Sequence, residues 1–152
     1  MSIIKYIIMS KMKLSKLQRH EYLLFLREES ACLNEIEGAR EFLLQEGHDR
    51  EKVYEKFRLS HKCCYHKKAT YIHMLNGNRD KAIKTFKKWR VFMNDMLWEC
   101  MENHKNDDKP TSLTIFDEDR ESTCSLVDLK AIDTIAKNMK ETDEYFCRDL
   151  NL

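Results

Sequence analysis

Residues 79–104 read RDKAIKTFKKWRVFMNDMLWECMENH, and their apolar positions decide the fold. Ala82, Phe86, Trp89, Met93, Met96 and Cys100 recur at intervals of four and three, which lines one side of an α-helix, and Ile83, Leu97 and Met101 widen the stripe. Neither Gly nor Pro interrupts the run. It predicts a helix that starts after Asn78, runs to about His104 and occupies the centre of an all-α protein.

On the N-terminal side, Val53, Phe57, Ser60, Cys64, Tyr71 or Ile72, and Leu75 predict a second helix, with Asp49 as its N-cap and Gly77 beyond its end. Ser15 and Gln18 form a capping box for a first helix of about thirty residues, carried by Leu17, Leu24, Ala31, Leu33, Ile36, Ala39, Phe42 and Leu43 and C-capped by Gly47. Gly38, inside that helix, marks a bend or a close helix contact. On the C-terminal side, Pro110 and the acids Asp117, Glu118 and Asp119 predict a loop over 105–124, pinned by Leu113, Ile115 and Phe116. Ser125 and Asp128 then cap an acidic helix over 125–152 with a seam of Leu129, Ile132, Ala136, Met139, Phe146 and Leu150. Residues 1–14 form a basic N-terminal segment and 15–104 a three-helix core. The whole is a single domain, an antiparallel bundle of about four amphipathic helices or a short stack of helical hairpins.

Composition agrees with that class. The chain has 152 residues with only three Gly and one Pro, too little turn punctuation for a many-stranded sheet. Its net charge of +1 conceals a dipole: residues 50–90 hold thirteen Lys or Arg against three acids, whereas 95–152 hold seven against fifteen. An acidic fourth helix beside the basic second or third would satisfy part of it. No apolar run is long enough to span a membrane. Ile3, Ile4, Ile7 and Ile8, broken by Lys5, are too few and too basic for an export signal, although with Met12 they share one helical face, as in a targeting or membrane-surface helix. A cytoplasmic or nuclear protein with its six cysteines reduced is expected.

Residues 71–86, YIHMLNGNRDKAIKTF, place Gly77 at a turn, Ala82 five residues later and Phe86 four after that. Gly permits a positive φ, Ala allows close helix approach and Phe fills the neighbouring groove. Over residues 62–92 this hairpin resembles the turn of a tetratricopeptide repeat, with a weaker echo at Gly47, Val53 and Phe57. The match departs from the family in having thirty residues between the glycines and Trp89 where a small residue is usual. The resemblance implies a scaffold or adaptor whose helical groove receives a partner segment.

Chemical motifs are sparse. His61, Cys63, Cys64, His66 and His73 are dense enough for a metal site, but no second pair at recognised spacing completes it, and Cys64 in the core with solvent-boundary histidines is the plainer reading. His20 and Glu21 open a zincin-like pair that Leu24 breaks. Asp117, Asp119, Glu121 and Asp128 match some calcium-loop positions, yet Ser122 replaces the needed Gly. Ser122, Thr123 and Ser125 lie among acids and are candidate phosphorylation sites. With no phosphate loop, nucleophile elbow or paired-carboxylate motif, neither an enzyme nor a cofactor is expected.

The functional expectation is a non-enzymatic protein-interaction module, an adaptor or regulatory subunit. Its contacts are expected at Lys67, Lys68, Lys81, Lys84, Lys87, Lys88 and Arg90 and at the aromatics Tyr71 and Trp98, the last lying off the third helix's seam. The alternative is an RNA- or DNA-binding protein that neutralises phosphates with the basic face of residues 50–90. A further alternative is a homo-oligomer whose seams close only between copies.

Overall fold

The computed structural model describes residues 12–106 and 121–152, without the side chains of 104–106 and 121–129. Residues 1–11, the acids at 117–119, the apolar residues at 113, 115 and 116, and the side chains of Glu121, Ser122, Thr123, Cys124, Ser125 and Asp128 therefore lie outside the described residues. Among those described, the chain forms four α-helices and no strand: α1 (Lys16–Gln45), α2 (Arg50–Leu75), α3 (Arg79–Asn106) and α4 (Glu121–Leu150). The all-α bundle is thus the observed architecture, each helix packed chiefly on its neighbour in sequence.

Local chemistry explains the boundaries. Ser15 Oγ accepts from the Gln18 amide at 3.1 Å while Gln18 Oε1 accepts from the Ser15 amide at 2.8 Å, so two donors at the start of α1 are satisfied reciprocally. Asp49 caps α2 by accepting from the Lys52 amide. The C-cap of α1 is Glu46, with Gly47 one position beyond it at φ +87°, the left-handed conformation that follows a helix end. The last helix begins at Glu121, ahead of Ser125 and Asp128, so neither of these caps it.

Gly77 closes α2 at φ +71°, and a Cβ there would meet the Met12 carbonyl oxygen at 3.1 Å, the same oxygen-lined gap in which the Met12 amide donates to Gly77 O. Gly38 has ordinary helical backbone and nothing within 4 Å of an added Cβ, so it makes no close helix contact. Opposite effects are expected: Gly77→Ala lowers stability by about 1–2 kcal/mol, whereas Gly38→Ala raises it by about 0.5–1 kcal/mol. Urea denaturation of the two variants checks the signs.

The core gathers at one end, where α1 and α3 start and α2 and α4 finish. Tyr22, Tyr71, Met74, Ala82, Phe86, Trp89, Phe146 and Leu150 are buried there. Phe146 sits 5.2 Å from Phe86 and 5.3 Å from Tyr71 between ring centroids, and Phe25 stacks on Tyr145 at 5.2 Å. The fourth helix therefore supplies the centre of the core, not a covering layer.

Polar groups at this end are matched as burial requires. Tyr22 Oη donates to Asp149 Oδ2 at 2.5 Å, and Gln18 Nε2 and Arg148 donate to the same carboxylate. The orphan carbonyls that end α2 and α4 accept from arginines: Leu75 O from Arg19 at 3.0 Å, Leu150 O from Arg79 Nε and Nη2 at 2.9 and 2.7 Å. Buried Thr70 donates to His66 O and lies 2.8 Å from the Thr85 hydroxyl.

Two expected faces are rotated. On α1, Leu17, Leu24 and Phe42 are exposed, and the inward side is Tyr22, Phe25, Leu26 and Leu33. Tyr22 wins that place because Asp149 satisfies its hydroxyl, which leaves a large ring free to be buried. On α2, Cys63 is in the core and Cys64 is half-buried, with Leu59, Thr70 and Met74 fully inward; Ser60 is only half-buried, Leu75 packs against the core as expected, and Ile72 turns outward. Burial pushes the Cys63 thiol up to about 12, and burial together with the Glu29 carboxylate raises Cys64 as well, so neither is a reactive thiolate.

Candidate interaction face

The apolar side of α3 is consumed by the core, and its polar side divides into two strips. Lys84, Lys87, Val91, Asn94 and Trp98 follow one another at three- and four-residue steps and therefore share a face. All five are exposed, Val91 at 56% and Trp98 at 61%, with Met101 continuing the strip. Lys81, Lys88 and Phe92 form the second strip, turned toward α2.

Along this second strip, the His66 ring stacks on Phe92 at 5.2 Å, nearly parallel, and the Lys62 ammonium lies 5.2 Å from the Phe92 centroid. Burial, then the Lys88 and Lys62 charges, hold His66 below the ordinary histidine value; burial and Lys81 do the same to His73. Both histidines are thus neutral near pH 7, and the positive charge of the groove comes from its lysines. Tyr65 stands exposed beside His66.

Among the described residues, the acidic α4 neutralises part of the basic tract. Arg90 reaches Asp143 through a bidentate pair, Nη2 lying 2.9 Å from Oδ2, while its guanidinium covers the Phe86 ring at 4.5 Å. Lys67 is paired with Glu29 of α1 at 3.3 Å. Both are engaged in ion pairs in this arrangement. By contrast, Lys81, Lys84, Lys87 and Lys88 are exposed and enter no ion pair among the described residues. Lys68 is half-buried on α2, also without an ion pair among those residues. Tyr71, expected as a contact, is 1% exposed and bonded to the Tyr145 hydroxyl in the aromatic core, so it supports the fold and offers no surface.

Sequence reasoning missed Val91, whose signal was its position seven residues before Trp98 and off the seam. The histidines and cysteines of α2 do not converge: His61 pairs with Glu37 at 3.3 Å, Cys63 points into the core, and no group of three or more His, Cys, Asp or Glu able to hold a metal ion occurs among the described residues. Nor is any helix among them long and apolar enough to cross a membrane. No family model, curated protein or solved structure matches the chain.

Proposed function

We propose that the protein is a non-enzymatic helical interaction module that docks a partner protein along the outer face of α3. One observation carries this reading: Val91 and Trp98 stand exposed in line with Lys84 and Lys87, two lysines outside any ion pair among the described residues. An exposed Trp with a second apolar side chain is the anchor that interface cores favour, and lysines beside it select an acidic partner segment. The tetratricopeptide-like α2–α3 hairpin supports the same class of role.

Trp98→Ala is expected to weaken binding of the purified partner by about 30-fold or more, the effect of losing a central aromatic anchor. Lys84→Glu with Lys87→Glu should also weaken it, chiefly by slowing association at low salt. Calorimetry and stopped-flow association would read the two effects. Unchanged affinity in the folded Trp98→Ala variant would remove the reading.

The groove between α2 and α3 favours a second reading, nucleic-acid binding. Lys62, Lys81 and Lys88 could neutralise phosphates, with exposed Tyr65 available for stacking on bases. In anisotropy titrations with random single-stranded RNA, that reading requires binding that falls steeply between about 50 and 200 mM salt and is lost on Lys81→Glu with Lys88→Glu. No binding at the lower salt would eliminate it.

A further inference from the structure

Behind the core, where α4 meets α1, α2 and α3, a cleft of about 260 Å³ stays unfilled. A dry engineered cavity of roughly 150 Å³ already admits benzene, so a cleft of this size has room for one or two rings. Its lining includes the buried Trp89 and Cys63 and the half-buried Met93, Met96 and Met139, an aromatic ring in the company of sulfur. Thioethers are polarizable and adapt their rotamers, and they contact aromatic edges favourably. The Glu29–Lys67 pair, with side chains 13% and 24% exposed, and the exposed Asn138 supply polar groups to the lining, together with the buried Thr142. A second hollow of about 350 Å³ shares these four residues and extends the cleft toward Phe25 and Tyr145.

We infer that this cleft is a binding site for a planar aromatic molecule of one or two rings bearing a single hydrogen-bonding group. The ring lies among the methionine sulfurs against Trp89. The polar group lies at the polar part of the lining, where Glu29 and the Asn138 side chain accept and Lys67 donates, so a phenol-like hydroxyl is matched in either role. This site is separate from the outer face of α3 and does not depend on the partner reading.

The test is methyl NMR of the full chain labelled at its eight methionines, titrated with 2-naphthol and with naphthalene. Saturable one-to-one shifts confined to Met93, Met96 and Met139 are expected, with Met12 little affected and 2-naphthol binding about tenfold tighter than naphthalene, the worth of one good hydrogen bond. Met139→Trp, which fills the cleft from α4, should abolish the shifts at Met93 and Met96. The inference is overturned if those methyls do not shift saturably, if all eight methionines shift alike, or if a folded Met139→Trp binds as the native chain does. Should that variant fail to fold, the pattern in the native chain decides alone.

Discussion

Trp89→Ala is expected to lower stability by about 3–5 kcal/mol, whereas Trp98→Ala, nine residues further along α3, should change it by no more than about 0.5 kcal/mol. Both are tryptophans of one helix, and burial alone separates them. Trp89 is 1% exposed and packs against Phe86 at 5.8 Å and Phe146 at 5.9 Å, so its removal strips contacts from two rings at once. Trp98 gives most of its surface to solvent. For a domain whose total stability is of the order of 5–15 kcal/mol, the first variant should lose about a third to a half of a mid-range total. Guanidinium titrations followed by helical circular dichroism would measure the pair. Equal losses would mean that Trp98 is a core residue and that the outer face of α3 is not a free surface.

The next largest effect is expected at Asp149. Its carboxylate is 3% exposed, and it accepts from Tyr22, Gln18 and Arg148, tying the first turns of α1 to the end of α4. Asp149→Ala should cost about 1–3 kcal/mol, because the buried Tyr22 hydroxyl loses its acceptor. Tyr22→Phe in the Asp149→Ala background should recover part of that loss by removing the stranded donor. Burial by itself would raise the Asp149 carboxyl, but hydrogen bonds from Arg148, Tyr22 and Gln18 outweigh it and hold the group below the usual carboxylate range. On acidification the unfolded chain then takes up this proton first, near the ordinary value of about 3.9. The stabilisation from Asp149 is therefore complete above that pH and disappears as pH falls through the lower folded value. Urea midpoints between pH 6 and 2 should drop less steeply for Asp149→Asn than for the native chain.

The helices were legible because their signals are local. Ser15 with Gln18, Asp49, and the glycines at 47 and 77 act within a few residues, and the four-three spacing on α3 admits one period only. Which residues face inward on α1 and α2 was not legible, because it depends on distant partners. Tyr22 reads as amphipathic until Asp149, far along the chain, accepts a hydrogen bond from its hydroxyl, and the adjacent thiols of Cys63 and Cys64 differ only by the rotation that packing on α1 and α3 imposes. The same limit applies to the candidate site. The place of Trp98 off the seam was legible, but neither its exposure nor the division of the basic residues was. Arg90 is neutralised by Asp143 and Lys67 by Glu29, while Lys84 and Lys87 remain outside such pairs among the described residues, and only the packing of α4 and α1 distinguishes them.

The central claim is that the outer face of α3 is held open for a partner protein. Its most direct test is photo-crosslinking in cells with benzoylphenylalanine at position 98, compared with position 72, where Ile72 is exposed on α2. A partner docked on this face would give a discrete protein adduct from position 98, none from position 72, and loss of the adduct when Lys84 and Lys87 become glutamates. An adduct of twice the chain's mass would assign the face to self-association, and adducts with nucleic acid alone, or none at position 98, would contradict the claim.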